Sequence, residues 1–182
     1  MSNQTLLLIN GPVASGKTTV AQLVAARMRE RKRRAAAIDL DALVMVVMGR
    51  DWHDVRIEHW LAARRLAAVL ADCLFSTEHE LVVLSGPFFT QEERDDLCRH
   101  LKSRPKMASV TLRVSFDVAL RRAQSDPDPA RLYTRVPERL AQLHDSIDWD
   151  LLPSDVLMID TDRRDADEVA RVIAEALFCT VQ

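Results

Sequence analysis

At 182 residues, with 48% hydrophobic residues and a formal net charge of −2, the chain reads as one domain able to bury its own core without disulfides or structural metal. The near-neutral balance argues against nucleic acid or an anionic membrane as the main partner. Cys73, Cys98 and Cys179 are widely spaced with no C-x-x-C pair, which predicts buried, reduced thiols; with no signal-peptide pattern at the N-terminus, a cytoplasmic protein is expected.

Residues 5–10 read as a buried strand. They run into Gly11-Pro12-Val13-Ala14-Ser15-Gly16-Lys17-Thr18, which has the form G-x-x-x-x-G-K-[ST]. The glycines allow successive backbone N–H groups to turn inward as a concave anion site, and the helix that follows adds its positive end. That helix is expected over 17–32, with Val20, Leu23, Val24 and Met28 on its apolar face. The basic run at 27–34 falls at its C-terminal end, where cations complement the helix dipole.

Further along, 35–39 is a second short strand, and 41–48 a short apolar helix closed by Gly49. Residues 54–76 form a long amphipathic helix carrying Trp60, Leu61, Leu66, Val69, Leu70 and Leu74. The continuous apolar run 81–84 is a buried parallel strand, ended by Ser85-Gly86-Pro87. Thr90 and Glu93 form a capping box for a helix over 91–102. A fourth strand is expected over 110–116 and a helix over 117–124, broken by Pro127 and Pro129. A helix over 137–147 starts with Pro137 at its first position, 156–159 is the fifth strand, and 165–177 the closing helix.

The alternation predicts a three-layer α/β domain with a five-stranded parallel sheet. Ligands then bind beyond the carboxyl ends of the strands. The first strand delivers the glycine-rich loop, the second Asp39-Leu40-Asp41, the third Ser85-Gly86-Pro87-Phe88 and the fifth Asp160-Thr161-Asp162. A carboxylate beside a phosphate loop holds Mg²⁺ through its waters, deprotonates a hydroxyl, or simply caps the next helix.

With the loop at 11–19 and the D-x-D at 39–41, the chain resembles the P-loop kinases of small molecules, among them shikimate kinase, gluconate kinase and chloramphenicol phosphotransferase and, more distantly, zeta-toxin and nucleoside monophosphate kinases. The resemblance covers most of the chain and implies a P-loop NTPase fold, 1–182 as one kinase domain, with ATP and Mg²⁺ as cofactors. Gly11, Pro12, Val13, Ala14, Ser15, Gly16, Lys17, Thr18 and Thr19 would hold the nucleotide phosphates, and Thr18 and Asp39 the metal. Asp41 would orient or deprotonate the acceptor hydroxyl, although a single Asp in the chloramphenicol phosphotransferase pattern leaves the division between Asp39 and Asp41 open. A lid between strands four and five, at about 121–137, would bring in Arg121, Arg122, Arg131 and Arg135, with Arg131 and Arg135 counted as catalytic and Arg122 as nucleotide-binding. Asp160 and Thr161 would line the adenine edge.

The acceptor would lie against a helical segment at about 42–79 and the loop after strand three. Trp52, Arg56, Gly86, Pro87 and Phe88 are its expected contacts, with Val44, Met48, His53, Trp60, Phe89 and Arg64 as further candidates. Ser85 stands where many P-loop ATPases carry an acid, a departure that shikimate kinases share. The resemblance thus implies a phosphotransferase acting on a small-molecule hydroxyl, such as an antibiotic or a shikimate-like metabolite, as a monomer or homodimer without nucleic acid or membrane. A nucleotide or nucleotide-sugar kinase and a slow ATPase switch are the alternatives.

Overall fold

The computed structural model describes residues 4–49, 54–127, 134–153 and 156–179. Five strands, β1 (Thr5–Asn10), β2 (Ala35–Asp39), β3 (Leu81–Ser85), β4 (Lys106–Arg113) and β5 (Leu157–Asp160), form one sheet in the order β2-β3-β1-β4-β5. Every pairing is parallel. The helices are α1 (Lys17–Glu30), α2 (Leu40–Met48), α3 (Ile57–Ser76), α4 (Gln91–His100), α5 (Phe116–Ser125), α6 (Pro137–Asp145) and α7 (Ala166–Cys179).

Side-chain alternation along β1 divides the core between the two faces of the sheet. Leu7 and Ile9 pack with α1 and α7 through Val20, Val24, Ala170 and Ile173. Leu6 and Leu8 point the other way and meet Val44 of α2, Ala63, Ala67 and Ala71 of α3, and Leu97 of α4. The alanines of α3 let that helix lie close to the strands. Among the described residues, no helix is long and apolar enough to cross a membrane.

The expected elements are present, with two differences of substance. β4 begins at Lys106 and ends at Arg113, about four residues earlier than its apolar pattern suggests. β5 pairs only with Val110–Arg113, so residues 106–109 have β1 as their one strand neighbour and tolerate an exposed Lys106 and Met107. The chain then leaves the sheet, and Phe116 opens α5 rather than closing the strand. A short 3-10 helix at Trp149–Leu151, which no pattern suggested, precedes β5. Cys73 and Cys98 are free as expected, but exposed on the outer sides of α3 and α4 rather than buried.

In-register pairing brings the carboxyl ends together, with Ser85 opposite both Ile9 and Asp39. Gly86 then passes beneath α2: its N–H donates to the Ile9 carbonyl at 3.1 Å, and a Cβ there would stand 2.7 Å from Leu40 Cβ and 3.0 Å from Leu40 Cδ2. Close packing against Leu40 requires glycine here, and Gly86 is not among the residues that line the cavity described below. Gly86→Ala should lower stability by about 1–3 kcal/mol through this overpacking, read from the urea midpoint; an unchanged midpoint would mean that α2 shifts freely.

Candidate active site

The loop after β1 takes its shape from backbone requirements. Gly16 has φ 89° and Ala14 φ 61°, both left-handed, and the Ser15 N–H closes a turn onto the Pro12 carbonyl at 3.2 Å. A Cβ on Gly11 would fall 2.7 Å from Ser15 Oγ and 2.8 Å from the Leu112 carbonyl, so only glycine fits there. Gly16 caps α1, and the first-turn amides of that helix open onto the loop.

Asp39 ends β2 and serves two elements. Its Oδ1 accepts the Asp41 N–H at 3.0 Å, capping α2, while its Oδ2 accepts the Thr18 hydroxyl at 2.9 Å. One carboxylate thus caps α2 and also holds the Thr18 hydroxyl. Asp41, in the first turn of α2, directs Oδ2 to within 3.7 Å of the largely buried Lys17 Nζ. Thr18 hydroxyl and Asp39 carboxylate are hard oxygen donors beside an anion cradle, a set that suits Mg²⁺, which keeps waters and takes one or two carboxylates together with phosphate oxygens.

Two recesses flank the loop. A cavity of about 400 Å³ is lined on one side by Gly11, Pro12, Val13, Lys17 and Asp41, and on the others by Val55, Ile57, Trp60 and Arg64 of the α2–α3 segment, Pro87, Phe89 and Glu93 after β3, and Arg139, Leu143, Ser146 and Ile147 in and after α6. A groove of about 670 Å³ on the far side is lined by Ser15, Gly16, Thr19, Val20, Arg122, Thr161 and residues 162–166 with Glu168 and Val169. Between them a smaller recess over the loop includes Lys17, Thr18, Thr19 and Arg122. Lys17 lines both this recess and the cavity, at the junction of the two sides.

Arg122 is fixed rather than solvated: it donates to the Thr161 carbonyl at 2.6 Å, to Thr161 Oγ1 at 3.1 Å and to the Ala14 carbonyl at 3.5 Å. It ties α5 to the loop and to the turn after β5. Asp160 is exposed and outside the groove lining; its carboxylate accepts the Asp162 N–H at 2.8 Å, and Asp162 lines the groove instead. Arg121 is exposed on α5. Arg135 donates to the carbonyl of Asp126 at the end of α5, and Asp126 lines the smaller recess over the loop. Trp52, His53 and Arg131 lie outside the described residues.

On the cavity side, of the two candidate phenylalanines only Phe89 reaches the wall. Phe88 is fully buried among Leu6, Leu8 and Leu84, because its N–H is drawn to Asn10 Oδ1 at 3.1 Å and its carbonyl to Arg94. Phe89 turns the opposite way and lines the cavity, its ring edge-on to Trp149 with centroids 6.1 Å apart. Arg56 is likewise not a cavity residue: it is exposed at the start of α3, beside Glu58. Two turns on, Arg64 is 3% exposed and lines the cavity, paired with Glu93 at 3.0 Å and Asp96 at 3.8 Å. Glu93 also receives the Phe89 and Thr90 N–H groups, so the capping box seen in the sequence doubles as a cavity wall. Val44 is core, and Met48 and Trp60 pack against it, Trp60 also reaching the cavity. Arg139, Ser146 and the histidine between them, His144, carried no sequence signal, since they depend on how α6 docks.

No family model matches the sequence, and no curated protein matches it. Solved structures match along essentially the whole chain. A gluconokinase from Sinorhizobium meliloti 1021 is 18% identical with a TM-score of 0.61, covering 100% of both chains. The APS kinase of Mycobacterium tuberculosis in complex with AMPPNP and APS is 22% identical with a TM-score of 0.66, covering 96% of this chain and 98% of that one. A shikimate kinase from Acinetobacter baumannii in complex with shikimate is 18% identical with a TM-score of 0.59, covering 97% and 94%. The fold of this chain is that of the P-loop small-molecule kinases.

The groove side carries a pH-sensitive contact. Hydrogen bonding from Ser115, its N–H at 2.7 Å, holds the Asp162 carboxyl below the ordinary carboxylate range, and the Arg122 and Arg121 charges add to it. The stability it contributes is therefore complete above the unfolded-chain value near pH 4 and is lost as pH falls through the lower folded value. Urea unfolding of wild type and Asp162→Asn should differ by a constant amount down to about pH 5 and converge below it. A difference that persists undiminished at about pH 2 would contradict this.

Proposed function

We propose that the chain is an ATP-dependent phosphotransferase that moves the γ-phosphoryl group to a hydroxyl of a small molecule. The observation that carries the reading is the junction at Lys17: one ammonium lies between a phosphate-type loop and a cavity whose facing wall is the Asp41 carboxylate, 3.7 Å away. A phosphoryl donor bound on the amides of 13–19 would have its terminal phosphate at the cavity mouth. Solved kinases of the same fold, one in complex with AMPPNP and APS and another with shikimate, support a reading with a nucleotide and a small-molecule acceptor.

In this reading the acceptor hydroxyl donates its proton to Asp41 as its oxygen attacks the γ-phosphorus, and the bond from that phosphorus to the β,γ-bridging oxygen breaks, releasing ADP. Lys17 carries part of the charge spread over the transferring oxygens. Thr18 and Asp39 would hold Mg²⁺, which when bound neutralises phosphate charge. Arg122 and Thr161 would border the nucleoside, and the segment 121–137 would be the lid, with Arg131 and Arg135 reaching the phosphates on closure. Ser85 is neutral and buried at the end of β3, which favours a kinase over a switch that relies on an acid there.

The acceptor would lie in the 400 Å³ cavity. Val55, Ile57, Trp60, Phe89, Leu143 and Ile147 offer an apolar wall for a carbon skeleton or ring, while Asp41, Arg139, Ser146 and the Arg64–Glu93 pair fix its polar groups. An ADP-release screen across sugars, shikimate-like acids, nucleosides and hydroxyl-bearing antibiotics identifies the acceptor. With that acceptor, Lys17→Ala should abolish transfer, and Asp41→Asn should lower kcat by roughly 10²–10⁴-fold with ATP affinity nearly unchanged. Wild-type turnover in Asp41→Asn would remove Asp41 as the base.

A further inference from the structure

The crown of the phosphate loop is gripped from outside by a side chain that the proposed chemistry does not use. His144, in the last turn of α6, brings Nε2 to 3.1 Å from the Val13 carbonyl oxygen. A carbonyl only accepts, so Nε2 carries the hydrogen; the Nε2–H tautomer and the imidazolium both satisfy this. The ring is partly buried and meets the Phe116 ring edge-on at 6.0 Å between centroids. Phe116 opens α5, so the imidazole sits where α5, α6 and the loop converge. Beneath it Val13 and Ala14 pack on Ala119, Ala123 and Leu140 of the same two helices.

Val13 and Ala14 share the peptide that most needs holding. Ala14 is left-handed at φ 61°, a conformation that costs an L-residue free energy and persists only when its surroundings fix it. In a trans peptide the C=O and the following N–H point in opposite directions. A donor that holds the Val13 carbonyl on the α6 side therefore turns the Ala14 N–H away from α6. The next carbonyl, that of Ala14, has a second and longer contact from Arg122 at 3.5 Å.

We propose that His144 is a positioning residue that sets the Val13–Ala14 peptide so that the Ala14 N–H faces the bound phosphates, linking the docking of α6 to the readiness of the phosphate cradle. The inference rests on the reading of 11–18 as that cradle. It assigns His144 no contact with substrate. Because Arg139, Leu143 and Ser146 of the same region line the acceptor cavity, the hydrogen bond also joins the two sides of the active site through α6.

Calorimetric titration of wild type, His144→Leu and His144→Gln with MgATP, and separately with pyrophosphate, tests this. Leucine keeps the bulk against Phe116 and removes the donor, whereas the glutamine amide can still donate to Val13. The leucine variant should bind both ligands roughly threefold to tenfold more weakly, the range of one lost hydrogen bond, and glutamine should recover most of the loss. If the leucine variant melts well below wild type, His144→Asn, polar but too short to reach Val13, replaces it with the same expected loss. Affinity within about 1.5-fold of wild type in the donor-less variant would overturn the proposal, as would a glutamine variant as weak as leucine, since the loss would then follow packing alone. If wild type itself bound neither ligand, the kinase reading would fall, and this inference with it; wild-type binding with an unaffected leucine variant sinks only the role of His144.

Discussion

Asp39 is the point on which the site turns. A single carboxylate at the end of β2 accepts the Thr18 hydroxyl with one oxygen and the Asp41 N–H with the other. The first bond fixes the start of α1 against the sheet, and the second starts α2 in a defined direction. Because Asp41 lies in the first turn of α2, that direction carries its carboxylate to Lys17. The acid, the ammonium and the hydroxyl thus come from two helices but are held through one side chain, and the parallel sheet supplies the rigid edge on which they stand.

The two recesses differ in how their walls are made. On the groove side Arg122 ties the glycine-rich loop to the turn after β5 through the Ala14 carbonyl and Thr161. On the cavity side they are side chains from four separate stretches of chain, and the buried cation Arg64 is balanced by Glu93 and Asp96. A buried arginine needs such balance, since an unpaired charge there would cost several kcal/mol. Glu93 meets that need while capping α4, so the helix start, the ion pair and the cavity wall depend on one residue.

What the sequence made legible follows a physical line. The shape of the glycine-rich loop and the placement of Asp39 and Asp41 beside it could be read because they are local: left-handed backbone needs glycine at 16, and an Asp before a helix caps it. Strand and helix order followed from periodicity. The cavity walls could not be read that way. Phe88 and Phe89 are chemically identical, and which one faces inward goes with distant partners: Asn10 and Arg94 on the Phe88 backbone and Glu93 on the Phe89 N–H. Arg56 and Arg64 lie two turns apart on one helical stretch, and their fates depend on where α4 places Glu93 and Asp96. The bounds of β4 depended on how short its partner β5 is, and His144 on the docking of α6, neither of which leaves a mark in the local pattern.

The central claim is geometric: the triphosphate of a nucleotide bound on the 13–19 amides would end opposite Asp41. A crystal structure with Mg²⁺ and a non-hydrolysable ATP analogue tests it most directly. The account predicts the terminal phosphate at the mouth of the cavity, beside Lys17 and facing the Asp41 carboxylate, with the base toward Arg122 and Thr161. A nucleoside seated in the cavity itself, or phosphates bound away from the loop, would contradict it.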